Sequence, residues 1–213
     1  MQSMIPAYAS NLAKPKVHCT GAPMNFLDGK PRSCLSLLWT TCLLWLIATT
    51  TGCPHIVSME YQPTNALKGQ GTVRTASFRY LPSDEHRVRP RQVETDPDSK
   101  SKLYLAREIG VFFEDALRKE LERSGYRTNE PSDHLVSGTI TRFFLNWTTR
   151  QERSFELAVD YTVRSDDRTA FTWHCTSVQR GPNMLAQDAI LIRDGMADCI
   201  HRFLAAAQES NAF

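Results

Sequence analysis

SFELAVDYTVRSDDRTAFTWHCTSVQ, Ser154–Gln179, is the stretch whose reading decides the fold. Phe155, Leu157, Val159, Tyr161 and Val163 alternate with Glu156, Asp160, Thr162 and Arg164. Successive strand residues point to opposite faces, so the alternation predicts a strand with one buried and one wet face. Ser165-Asp166-Asp167-Arg168 has turn chemistry, and Phe171, Trp173 and Cys175 then resume the apolar side. The prediction is a hairpin in a sheet that needs a second layer on one face.

Upstream, His134–Trp147 carries Leu135, Val136, Ile140, Phe143, Phe144 and Leu145. Apolar groups fall on both of its faces, as expected of a central strand. Val73–Leu81 (VRTASFRYL) predicts a first strand that ends at Pro82. Between these two, Ser101–Ser124 reads as a helix. Leu105, Ile109, Phe112, Phe113, Ala116, Leu117 and Leu121 recur at three- and four-residue spacing. Gly125 follows as a C-cap. Met184–Ala207 is a second amphipathic helix with Ala189, Ile192, Met196, Cys199, Ile200 and Phe203 on its inner stripe. The order is β-α-β-β-β-α. Strands in runs predict an α+β two-layer sandwich over residues 72–208, with a mainly antiparallel sheet and both helices on one face.

The N-terminal quarter has a different character. Lys30 and Arg32 precede an apolar stretch from Cys34 to Ala48, which ends in Thr50-Thr51-Gly52-Cys53. A basic flank, a short apolar core and small residues form a secretory signal. The stretch falls short of the roughly 20 apolar residues that span a bilayer. Its end is similar to the lipobox of bacterial lipoproteins, in which cleavage precedes a cysteine that receives a diacylglycerol. Gly52 and Cys53 are the cleavage pair and Cys53 the lipidated residue on this reading. Thr50 departs from the pattern, which favours leucine there. An uncleaved anchor and an unlipidated secreted protein are the alternatives. Residues 1–23 fit no part of a signal, and Met24 is a conventional start. The expected organisation is an over-long start (1–23), a signal peptide (24–52), a lipidated cysteine with tether (53–71) and one domain (72–208).

Removal of residues 1–52 changes what composition implies. The whole chain has 25 Lys plus Arg, 23 Asp plus Glu and formal charge +2. Lys14, Lys16, Lys30, Arg32 and Asp28 leave with the signal, so 21 basic and 22 acidic residues remain. A near-neutral domain lacks the electrostatic footprint of a nucleic-acid binder. Of six cysteines, Cys19, Cys34 and Cys42 also leave, and Cys53 is the anchor. Cys175 and Cys199 both fall on predicted inner faces. Two readings stay open for them: a disulfide, favoured by an oxidising compartment, or two buried thiols serving as small apolar side chains.

The chain contains no G-x-S-x-G, Walker lysine motif, H-E-x-x-H or C-x-x-C. The expectation is therefore a protein that is not an enzyme, with no cofactor. His174-Cys175 and Cys199-x-His201 offer zinc-compatible donors, but adjacent strand residues point apart. No metal site is expected. Ser83–Lys100 reads as a long polar loop in which Arg87, Arg89 and Arg91 alternate. A solvated loop is the plain reading. The functional one is a grip on an acidic partner or lipid headgroups.

Taken together, Cys53, the helix ending ALRKELERSGY (Ala116–Tyr126), the strand LVSGTITRFFLNW (Leu135–Trp147) and the hairpin with its closing helix resemble the YajG-like family of bacterial outer-membrane lipoproteins. The resemblance implies a small periplasmic α+β domain, lipid-anchored at the periplasmic face of the outer membrane. Pro54 agrees with that placement, because aspartate after the lipidated cysteine is the usual inner-membrane retention signal in enteric bacteria. The implied function is a non-enzymatic envelope lipoprotein, attached to the membrane by its lipid anchor and binding an unidentified envelope protein or lipid. A weaker likeness to auxiliary lipoproteins of lipid-transporting ABC systems implies the alternative, an accessory subunit of such a complex.

Overall fold

The computed structural model describes residues 55–64, 67–97, 99, 101–147, 152–166, 168–184 and 187–213. In chain order the elements are β1 (His55–Val57), β2 (Arg74–Thr75), β3 (Arg79–Tyr80), the single turn α1 (Leu81–Asp84), β4 (Glu94–Thr95), β5 (Leu103–Leu105), α2 (Ile109–Arg123), β6 (His134–Asn146), β7 (Glu152–Ser165), β8 (Arg168–Pro182) and α3 (Gln187–Glu209). The expected signal peptide, Gly52 and Cys53 lie outside the described residues.

The three long strands β6, β7 and β8 pair antiparallel in that order. The hairpin at the centre of the sequence reading runs from Ser165 opposite Arg168 out to Glu152 opposite Pro182. Asp166 occupies the left-handed region at φ 48°, which aspartate tolerates in a tight turn. Phe155, Leu157, Val159, Tyr161 and Val163 are all buried. On the opposite, solvent-facing side Asp160 meets His174 at 2.6 Å. Alternation therefore set the two faces of this strand correctly.

Both long helices cover the buried face. The Tyr161 ring lies 4.2 Å from Phe203 of α3 and 6.1 Å from Phe113 of α2, so one side chain of the sheet touches both helices. The result is a two-layer α+β sandwich. α2 ends as the sequence indicates: Gly125 sits at φ 98°, Gly125 N–H donates to Glu122 O and Tyr126 N–H to Leu121 O, both at 3.0 Å. This is the glycine-terminated helix end in which a left-handed residue satisfies orphan carbonyls.

The structure corrects several elements. β6 is central, but not because both faces are buried. Its register shifts between Ile140 and Arg142. One extra residue flips the alternation, so Val136 and Ile140 before the bulge and Phe143 and Leu145 after it all face the core. Four of the six apolar residues thus share one face through the kink, and Leu135 and Phe144 stay half-buried on the other.

The expected first strand is broken. β2, β3 and β4 pair in succession with β6, all parallel to it, and form a segmented edge. Between β2 and β3 the chain leaves the sheet, and Phe78 turns into the core. A Cβ on Gly138 of β6 would lie 2.4 Å from the Phe78 ring, so the bare glycine makes the room that ring needs.

The first helix starts at Ile109 rather than Ser101. Leu103-Tyr104-Leu105 forms β5, paired in parallel with β1. Leu105 belongs to a period-two pattern, with Leu103 and Leu105 both buried. Its four-residue distance from Ile109 only mimics the helical stripe. Residues 83–100 are not a free loop either: Val93 and Glu94 are buried and β4 completes the sheet edge.

Candidate functional site

Three places matter for function: the N-terminal segment that follows Cys53, the arginine-bearing stretch beside it, and the Cys175–Cys199 region. Residues 55–64, part of the stretch expected to serve as a tether, are fastened to the domain. β1 pairs with β5, and His55 N–H donates to Lys102 O at 3.3 Å. Tyr61 is 1% exposed and donates its hydroxyl to Glu120 Oε1 at 2.6 Å. The physical reason is a buried carboxylate that needs donors, and the segment supplies two of them. Thr64 N–H also donates to Glu120, at 3.0 Å, and His201 Nε2 of α3 lies 3.2 Å away.

Glu120 is fully buried in α2. An isolated buried charge is costly, so its hydrogen bonds hold the segment as well as the carboxylate. Burial, reinforced by the Glu120 hydrogen bond and charge, pushes the Tyr61 phenol well above its ordinary range. The phenol thus stays a donor. Sequence reasoning passed over Glu120, yet a signal existed. It lies four residues after Ala116 and three after Leu117, on the apolar stripe rather than opposite it. Glu120→Leu leaves the Tyr61 hydroxyl and Thr64 N–H without an acceptor, at a cost of about 1–3 kcal/mol. Amide exchange over residues 55–64 should accelerate more than exchange in β7. Unchanged exchange there would remove Glu120 from this role.

Between the segment and the first half of α2 lies a cleft of 360 Å³. Val57, Met59, Leu105 and Phe112 give it an apolar floor. Its charged rim is largely self-satisfied: Lys119 meets Asp115 at 3.4 Å and Glu60 at 3.5 Å, and Arg107 meets Asp115 at 3.6 Å.

The three arginines do not act as one cluster. Arg87 is committed, with Nε 2.8 Å from Glu85 and Nη1 2.5 Å from Glu94. Glu94 in turn accepts Phe143 N–H at 3.2 Å, the amide just past the β6 bulge. Arg87 therefore braces the sheet edge. Arg91 donates to Ala106 O at 2.6 Å. Arg89 is exposed. Arg89 and Arg91 line a 240 Å³ depression with Ile56 and Tyr104, so these two, without Arg87, stand beside β1.

Cys175 of β8 and Cys199 of α3 are joined by a disulfide, with Cα atoms 5.7 Å apart. Arg202 closes over it, donating to Thr176 O at 2.5 Å and pairing with Asp198 at 2.7 Å. The two histidines considered as zinc donors diverge. His174 pairs with Asp160 on the wet face of the sheet and His201 with Glu120 between the helices. Among the described residues no group of three or more His, Cys, Asp or Glu side chains is placed to hold a metal ion. Among them, also, no helix is long and apolar enough to cross a membrane.

No protein-family model matches the chain, and neither does any curated protein. Solved structures do resemble it. Protein XCC0632 from Xanthomonas campestris, of the DUF330 family, superposes with a TM-score of 0.57 at 12% identity, over 73% of this chain and 96% of its own. The hypothetical protein CT253 from Chlamydia trachomatis gives 0.46 at 11% identity, over 67% of this chain and 98% of its own. The minor lipoprotein from Acinetobacter baumannii gives 0.33 at 12% identity, over 52% of this chain and 84% of its own. The last two scores are too low to support an argument, and the first shows a shared fold: the described domain is similar in architecture to a DUF330 protein.

Proposed function

We propose that this protein is a non-enzymatic envelope lipoprotein, held by acyl chains on Cys53 and binding an envelope protein or lipid. The observation that carries the reading is Gly52-Cys53 at the end of a short apolar run, only two residues before the first strand of a folded domain. The disulfide supports it, because such bonds persist in the oxidising space beyond the inner membrane. The sealed Glu120 cluster supports the non-catalytic part. Its carboxylate is fully buried and engaged in holding two helices and a segment together. Within this reading we place the protein at the periplasmic face of the outer membrane, as its YajG-like features imply.

The test is Cys53→Ala. The variant should accumulate as an unprocessed precursor and take up no radiolabelled palmitate. Wild type should stay on membranes through high-salt washes, since each buried methylene contributes about 0.8 kcal/mol. Equal labelling of the two proteins would refute the assignment. Purification of the wild type from membranes then identifies the partner. Recovery of an ABC permease would turn the reading towards an accessory transport subunit.

A further inference from the structure

β1 is the first described element after Cys53, and the surface around it has a definite chemistry. Ile56 is 62% exposed, the most exposed large apolar side chain among the described residues. Arg89 and Arg91 share a depression with it. Lys102 is exposed and adjoins β1 directly, its carbonyl accepting the His55 amide. Arg89 and Lys102 also line a second, 540 Å³ depression. The carboxylates Glu85 and Glu94 are engaged by Arg87. Among the described residues Arg89, Arg91 and Lys102 make no ion pair; two of these charges share the depression of the exposed isoleucine, and the third lines the neighbouring one.

The length of chain outside this surface decides what it faces. Two peptide steps separate Cys53 from His55, at most about 7–8 Å of chain. Residues 55–57 cannot extend that reach while β1 stays paired with β5, with His55 N–H on Lys102 O and Ala106 N–H on Val57 O. An anchored Cys53 therefore brings β1 to the level of the phospholipid headgroups.

We propose that Ile56, Arg89, Arg91 and Lys102 form a membrane-docking face that holds the domain flush on anionic phospholipid headgroups. This rests on the lipidation of Cys53 proposed above. The guanidinium and ammonium groups match the headgroup phosphodiesters in charge and in hydrogen-bond donors. Ile56 adds an apolar contact at the interface. Three basic groups near an anionic surface favour the docked state by on the order of a hundredfold. The domain then presents the opposite end of α2, not a freely tumbling surface, to whatever it binds.

The experiment uses the full-length protein purified from membranes and reconstituted into phosphatidylethanolamine–phosphatidylglycerol vesicles. Single thiols are introduced at exposed sites, Ser58→Cys near the face and Glu130→Cys beyond the far end of α2, and spin-labelled. Nickel chelated on lipid headgroups then reports proximity by collisional broadening. The label at position 58 should be strongly broadened and the label at 130 little affected. In R89E/R91E/K102E the contrast should collapse, while its urea midpoint falls by no more than the loss of the one exposed Arg91–Ala106 hydrogen bond, as the single variant R91E measures. Attached protein with equal broadening at both positions overturns the docking face alone. Persistence of the contrast in the triple variant overturns the role of the basic groups. Failure of the wild type to attach to vesicles overturns the anchor and the docking face together.

Discussion

Phe113→Ala should produce the largest loss of stability among single core substitutions in α2. The ring is fully buried and lies 5.0 Å from Phe78 and 6.1 Å from Tyr161. It therefore joins the segmented edge, the first helix and the hairpin at one point. Truncating a buried phenylalanine costs about 3–5 kcal/mol, a large part of the 5–15 kcal/mol typical of a domain. Loss of the ring also removes one of the two ring partners of Phe78 among the described residues and leaves it Tyr161, at 5.7 Å. The control is Arg123→Ala, an exposed residue in the last turn of α2. It should change stability by no more than about 0.5 kcal/mol. Glu114 is a poor control although it faces away from the main stripe. It accepts hydrogen bonds from Thr75 Oγ1 at 3.2 Å and Ser77 Oγ at 3.1 Å, and so ties the helix to the sheet edge. Urea midpoints measure the contrast. Similar midpoints for the phenylalanine and arginine variants would mean that α2 packs in another register.

Loss of the Cys175–Cys199 bond should be the second large effect. The bond closes a loop with a sequence separation of 24, from the sheet's free-edge strand to α3. Constraining a loop of that length stabilises a domain by about 3 kcal/mol, within a usual range of 2–4. Cys175→Ala/Cys199→Ala removes the bond without leaving a lone thiol. Its urea midpoint should fall well below that of the oxidised wild type. Dithiothreitol should bring the wild type down to a similar value and leave the double variant where it was. A wild-type midpoint indifferent to reductant would show that the bond does not form in the folded protein.

The elements that were legible in the sequence share one property: their apolar pattern is set by one local period. In β7, Phe155 to Val163 alternate without interruption, and each inner residue is buried. In α3, Ile192, Met196, Cys199, Ile200 and Phe203 follow the helical period and are all buried. Gly125 marks the end of α2 because few other residues adopt its φ comfortably. Misreadings arose where two periods overlap or where a third element intervenes. Leu105 and Ile109 are four apart by coincidence of a strand and a helix. Val136, Ile140, Phe143 and Leu145 look two-faced because a bulge inverts the alternation midway. Val73–Leu81 has strand composition, but Phe78 is drawn out of the sheet by space over Gly138, which only the neighbouring strand reveals.

The candidate site divides in the same way. The sequence by itself determined the alternating hairpin, the two helices, the sandwich class and the signal-like run ending at Cys53, since these depend on local order along the chain. It also determined which basic residues stand near one another, but not what each one does. Only the tertiary structure decided that Arg87 braces Glu94 while Arg89 and Arg91 stand beside Ile56 of β1. Only it decided that Glu120 binds Tyr61 and Thr64, residues nearly sixty positions away. The reason is physical. A side chain's role is fixed by the partners that satisfy its charge and hydrogen bonds, and in this protein those partners arrive from distant segments once the core has closed.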